Sequence, residues 1–162
     1  MNATAKLSEL LGSIEFESED LAVYYDRQTG RIVMVERSLL DGVEEESVDK
    51  LPDWQKGDIE IARAIFADTT GRFVDPPDKF DFHEYRQMER FIGTVENARD
   101  AEELWRAIKG KGAFRYFKDT ASRLGLLEQW YQYRDAAVRK FVIAWAEANE
   151  VPFEDDTAKR RG

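Results

Sequence analysis

Apolar residues recur along this chain with two different periods, and the change of period marks out its organisation. Leu7, Leu10, Leu11 and Ile14 fall at helical spacing with Ser8 and Glu9 opposite, predicting a first helix over about residues 5–15. The pattern then turns β-rich, with Leu21-Ala22-Val23-Tyr24-Tyr25-Asp26 and Arg31-Ile32-Val33-Met34-Val35-Glu36 flanking Arg27-Gln28-Thr29-Gly30. A glycine at the end of a four-residue connection takes positive φ without a Cβ penalty, so the pair reads as a hairpin. Two strands alone are marginal in water, so this hairpin must pack on helices or gain a third strand.

The stretch from Asp41 to Asp53 holds Glu44-Glu45-Glu46 and Pro52 and reads as an acidic connector. Helical spacing then returns. Trp54 to Ala67 sets Ile59, Ala62, Ile65 and Phe66 on one side and stops at Asp68-Thr69-Thr70-Gly71. Phe73-Val74-Asp75-Pro76-Pro77 is expected to be extended, because a residue before proline avoids the right-handed helical region. Asp81 and Glu84 have the spacing of a capping box ahead of the stripe Tyr85, Met88, Phe91, Ile92 and Val95. Asn97 or Asp100 caps the next helix, which buries Leu104, Ala107 and Ile108 and ends at Gly110. A short helix from Ala113 to Leu124 closes at Gly125. The last helix runs from about Leu126 to Asn149 around Leu127, Trp130, Tyr131, Val138, Phe141, Val142 and Trp145. The expected fold is α+β and predominantly helical: an N-terminal helix and β-hairpin packed on a bundle of about five helices. One domain over residues 1–152 is expected, with residues 153–162 a flexible tail.

Composition narrows the chemistry. With 162 residues, 43% apolar and 12% aromatic, a buried core can be built. Cysteine is absent, which excludes disulfides, thiolate catalysis and cysteine-based zinc sites. His83 is the only histidine, so no two-His metal site exists either, and no cofactor is expected. The apolar run Phe141-Val142-Ile143-Ala144-Trp145-Ala146 is six residues long, far short of the ~20 that span a bilayer. The first residues, Met1 to Glu9, hold no apolar targeting core. Cytoplasmic residence without a membrane partner is therefore expected.

The net charge of −9 conceals an asymmetry. Residues 1–75 sum to −9, residues 76–105 to −4 and residues 124–162 to −1, whereas residues 106–123 sum to +5. This one basic window reads Arg106-Ala107-Ile108-Lys109-Gly110-Lys111-Gly112-Ala113-Phe114-Arg115-Tyr116-Phe117-Lys118-Asp119. Two glycines between helices let the backbone turn sharply and leave the first amides of the next helix accessible to an anion. By spacing, Phe114, Phe117, Ala121 and Leu124 face a core, while Arg115, Lys118 and Ser122 share another face with Tyr116 beside it. Two readings stand side by side. One is phosphate recognition; the other is a solvated charge run with ordinary turn glycines, paired to Glu102, Glu103 or Glu44–Glu46. The window is not a P-loop, since Lys109-Gly110-Lys111-Gly112 is followed by Ala113 and the required spacing is missing.

Other candidates carry less. His83 beside Glu84 and Glu89 has the parts of an acid–base group, but its place in a helix's first turn suits a surface histidine. Glu44-Glu45-Glu46 and Asp155-Asp156 sit in expected loops rather than converging as metal ligands. Trp130, Tyr131 and Tyr133 have the character of a base-stacking platform, yet their helical spacing fits a core, with Tyr133 the most exposed of the three.

As a set, the wording resembles a bacterial family described only as uncharacterised and numbered 0158. The resemblance lies in Gly110-Lys111-Gly112-Ala113-Phe114-Arg115, Phe117-Lys118-Asp119, Arg123-Leu124-Gly125-Leu126-Leu127 and Trp130-Tyr131. Phe82-His83-Glu84-Tyr85-Arg86, Met88-Glu89-Arg90-Phe91-Ile92 and Thr29-Gly30 add to it, so that it covers roughly residues 6 to 151. The resemblance implies a small bacterial cytoplasmic protein and supplies no activity. Tyr116 stands where its pattern leads one to expect a basic residue.

The expected function is a non-enzymatic binding module for nucleic acid or a phosphorylated ligand. Its site is the basic helix–helix turn: Arg106, Lys109, Gly110, Lys111, Gly112, Arg115 and Lys118. The alternative is a protein-interaction module, or a homodimer, in which the same turn docks an acidic surface. An enzyme is the less supported class, because no nucleophile–base pair and no Gly-rich phosphate loop is legible.

Overall fold

The computed structural model describes residues 3–41 and 53–157. In chain order the elements are β1 (Ala5–Lys6), α1 (Leu7–Ile14), β2 (Leu21–Asp26), β3 (Arg31–Glu36), α2 (Arg37–Asp41), α3 (Asp53–Phe66) and β4 (Phe73–Val74). There follow α4 (Lys79–Phe82), α5 (Glu84–Ile92), α6 (Ala98–Ala107), α7 (Ala113–Arg123), α8 (Leu127–Ala148) and β5 (Phe153–Glu154). The fold is α+β and predominantly helical. The acidic run Glu44–Glu46 lies outside the described residues, as do residues 158–162 of the expected tail.

Where the sequence suggests one domain over 1–152, the chain groups into two compact units, residues 1–78 with 143–162 and residues 79–142. Helix α8 gives residues 127–142 to the second and 143–148 to the first.

The first unit is organised by the hairpin, whose register pairs Leu21 with Glu36 and Asp26 with Arg31. It gains the third strand it needs: β4 pairs antiparallel with β2, Tyr25 opposite Val74 and Asp26 opposite Phe73, giving the order β3-β2-β4. Asp26 is 2% exposed and anchors the turn. Its carboxylate accepts from Gln28 N at 2.9 Å, Thr29 Oγ1 at 3.1 Å, and Arg72 Nε and Nη2 at 2.8 and 2.9 Å. Burial alone would push this carboxyl's pKa up; the hydrogen bonds from Arg72, Gln28 and Thr29 outweigh it and hold the pKa below the ordinary value. Asp68 performs the equivalent task after α3, accepting from the amides of Phe73, Arg72 and Thr70 and from the Thr70 hydroxyl. These bonds, the Phe73 amide first, hold its pKa at about 2.

Two segments far apart in the sequence meet in this unit. β1 pairs parallel with β5, Ala5 opposite Phe153 and Lys6 opposite Glu154. Helix α1 has no side-chain cap of its own; Asp156 supplies one from the far end of the sequence. It accepts from Ser8 N at 2.8 Å and from the Ser8 hydroxyl, which offsets an orphan first-turn amide. Phe153, Glu154 and Asp156 are thus held by residues 5–8, where the sequence suggests a flexible tail. Gly30 (φ +72) is required by the same arrangement, because a Cβ there would lie 2.6 Å from the Thr4 carbonyl oxygen. Helix α3 buries Ile59 and Ala62 as expected, but Phe66 is exposed at the helix's last residue.

The second unit is built around one aromatic cluster. Met88, Phe91, Ile92, Leu104, Ile108, Ala113, Phe117, Ala121 and Trp130 are buried together. Phe91 and Phe117 meet the Trp130 ring edge-on at 5.5 and 5.0 Å between centroids. Asn97 caps α6, its side chain accepting from Arg99 N and Asp100 N. The capping box expected from Asp81 and Glu84 does not form. His83 adopts a left-handed conformation (φ 55) between α4 and α5, and Glu84 turns away to pair with Arg134. That pair is sheltered, with side-chain exposures of 14% and 16%, so an ion pair wins over an exposed cap. Helix α7 closes as expected at Gly125: Leu126 N donates to Ala121 O at 2.8 Å and Gly125 N to Ser122 O at 3.1 Å.

Candidate functional site

The basic window forms the connection between α6 and α7 together with α7 itself. Helix α6 ends because Ile108, 1% exposed, turns into the aromatic cluster, and the chain then passes through Gly110 at φ +99. Gly112 is the N-cap of α7 at φ +77 and offers no side-chain acceptor; its carbonyl accepts from Tyr116 N at 2.9 Å. It also makes room. A Cβ on Gly112 would lie 3.0 and 3.3 Å from two ring carbons of Tyr116, so the phenol ring rests against the glycine backbone.

The structure brings the seven expected site residues to one exposed segment. Arg106, Lys109, Gly110, Lys111, Gly112, Arg115 and Lys118 are all exposed. Their pairing is uneven. Arg106 meets Glu102 at 2.6 Å one turn earlier, and Arg123 meets Glu103 at 3.2 Å. Arg115 stands 3.9 Å from Asp119, with both side chains largely in water. Among the described residues, no carboxylate lies within ion-pair distance of Lys109, Lys111 or Lys118. The second unit carries thirteen Lys and Arg against ten Asp and Glu, a net of +3, whereas the remainder of the chain sums to −12.

Three aromatic side chains accompany these cations. Tyr116 is 56% exposed, Phe114 47% and Trp105 38%. Sequence spacing puts Phe114 in the core; instead the buried positions are Ala113, Phe117 and Ala121, spaced by four. The small Ala113 takes the first core position, which rotates Phe114 outward to lie one turn from Lys118 on the helix surface. Trp105 flanks the buried Leu104 of α6 and Ile108 just after it in the same way.

The other candidates dissolve into structure. Trp130 is fully buried, Tyr133 packs half-buried against it at a 24° interplanar angle, and Tyr131 is the exposed member, reversing the expectation for Tyr133. His83 is exposed beside the Phe80 ring, while Glu84 is committed to Arg134. Among the described residues, no three His, Asp or Glu side chains stand as a possible metal-holding group. No helix among the described residues is long and apolar enough to cross a membrane.

Comparison with known proteins adds one match. Residues 3–158 match the family described as Uncharacterised protein family (UPF0158). No curated protein and no solved structure matches the chain.

Proposed function

This chain belongs to the Uncharacterised protein family (UPF0158), and from its own geometry we propose that it is a non-enzymatic binding module for phosphate-bearing ligands, nucleic acid or a smaller phosphorylated molecule, working in the bacterial cytoplasm. The observation that carries this reading is the absence of acidic partners for Lys109, Lys111 and Lys118 among the described residues of an acidic protein. Cations with an intramolecular partner gain little from a ligand, because they exchange one counter-charge for another. Three without one, clustered on a turn and the helix it opens, attract an anion at full value. Gly110 and Gly112 let the backbone approach that anion, and the first amides of α7 add donors of the same sign. Arg115 and Arg106 are held by exposed pairs of small net worth, so both can exchange to a ligand.

The test is fluorescence anisotropy of labelled oligonucleotides and of inorganic polyphosphate at low salt, with Lys109→Glu/Lys111→Glu alongside. Loss of binding in the variant supports the reading, and unchanged binding overturns it.

A second reading has its own observation. Residues outside the second unit sum to −12, a charge that suits the same basic turn on a second copy. In that case solution mass falls towards the monomer as salt rises, and Arg115→Glu/Lys118→Glu abolishes self-association.

A further inference from the structure

We infer that the ligand of this turn is a single-stranded nucleic acid, its bases stacked on Tyr116 and Phe114 while Lys109, Lys111 and Lys118 hold its phosphates. The inference rests on the phosphate-binding reading and narrows it. A phosphate site made only of charge has no use for aromatic rings in water, yet here two exposed rings, Tyr116 and Phe114, each have an unpaired lysine close by. Tyr116 lies against Gly112, next to Lys111 in the chain, and leaves 56% of its surface to solvent. Phe114 is 47% exposed and shares a helix face with Lys118 four residues on. Interleaved cations and π-faces are the arrangement by which single strands are held without sequence preference, since every base has a face to stack and every nucleotide a phosphate.

A duplex suits the site less well. Its bases are already stacked on one another and offer no face to Tyr116, and its extended footprint meets a chain of net −9. A small phosphorylated ligand satisfies the lysines and leaves both rings in water. Phe114 and Tyr116 stand about 200° apart around α7 at 3.6 residues per turn, so the strand crosses the exposed side of the helix that carries Arg115 and Lys118. Gly112 to Lys118 is about 9 Å of helix at 1.5 Å per residue, so the contact covers only a few nucleotides.

The experiment compares four probes of matched phosphate number on the full chain: single-stranded RNA, single-stranded DNA, a DNA duplex and inorganic polyphosphate. Each is titrated against wild type, Tyr116→Ala, Phe114→Ala and Tyr116→Phe. The expected result is tighter binding of a single strand than of duplex or polyphosphate. Each alanine variant should lose roughly fivefold to a hundredfold for single strands only, as stacking on one ring is worth. Tyr116→Phe keeps the ring and should bind as wild type, and the salt slope should be the same in all four proteins. The RNA and DNA arms show which strand is preferred. Equal affinity for polyphosphate with no effect of Tyr116→Ala overturns the inference and leaves phosphate binding standing. No binding of any probe overturns both.

Discussion

Replacing Arg72 with methionine removes both guanidinium hydrogen bonds from Asp26 while keeping an apolar stem of similar length. Asp26 is 2% exposed, so its carboxylate would be left with only Gln28 N and Thr29 Oγ1 as donors. The guanidinium's contact with the Phe73 ring, 4.7 Å to the centroid, is lost as well. Removing one partner of a fully buried pair costs about 3–5 kcal/mol. The Arg72 side chain is 34% exposed, so water reaches the vacated side and softens the loss; the expected cost is about 2–3 kcal/mol at pH 7. At about 2–4 °C per kcal/mol for a chain of this size, the melting temperature should fall by roughly 4–12 °C. The pH dependence has a definite sign. Because the folded pKa of Asp26 is depressed, its contribution is complete above the unfolded value of about 3.9 and is lost as pH falls through the folded value. The gap between wild type and Arg72→Met should therefore narrow below about pH 4, as Asp26 protonates and needs Arg72 less. Urea unfolding followed by circular dichroism at pH 7 and pH 3 measures both effects. A loss below about 0.5 kcal/mol at pH 7, the scale of an ordinary surface substitution, refutes the reasoning. A gap equal at the two pH values refutes it too.

Other consequences are simpler. Phe117→Ala should destabilise the second unit by about 3–5 kcal/mol in urea unfolding, since Phe117 is fully buried against Trp130. Glu150→Gly should stabilise by about 0.5–1 kcal/mol: Glu150 holds φ 56 after α8, while Val151 N donates to Ala146 O and Glu150 N to Glu147 O. Lys109→Glu/Lys111→Glu should shift the melting temperature by no more than about 2 °C, because both side chains are exposed and without partners among the described residues. A large drop there would assign those lysines to the fold instead of to a ligand.

Much of the fold was legible because local rules and tertiary packing agree. The hairpin's register follows from the four residues between Asp26 and Arg31, and Gly125 ends α7 where its position in the sequence places it. The third strand was foreseen only as a need; that Phe73–Val74 fills it depends on Asp68 and Arg72 folding the preceding loop back onto Asp26. The pairing of β1 with β5 left no local trace, because its partners stand at opposite ends of the chain. His83 shows a different failure. Capping-box spacing fitted Asp81 and Glu84, but Arg134, fifty residues away, offers Glu84 a sheltered charge partner.

At the site, the cations were legible from composition alone, whereas their pairing was not. Glu102 and Glu103 each take one arginine, and the three lysines are left over. The exposed aromatics were hidden by a register choice. Phe114 and Phe117 both look like core residues, and only the burial of Ala113 shows that the stripe runs 113, 117, 121 and sends Phe114 outward. Ala113 and Ala121, four residues either side of Phe117, are the signal in the sequence that could have found it.

The most direct test of the basic turn is the salt dependence of single-stranded oligonucleotide binding, wild type against Lys109→Glu/Lys111→Glu/Arg115→Glu/Lys118→Glu. Three to four cations releasing counterions from a single strand predict a log–log slope of about −2 to −3, with affinity at physiological salt no tighter than about micromolar. The quadruple variant should show no binding at any salt. A variant that binds like wild type, or a wild-type affinity indifferent to salt, would contradict the account.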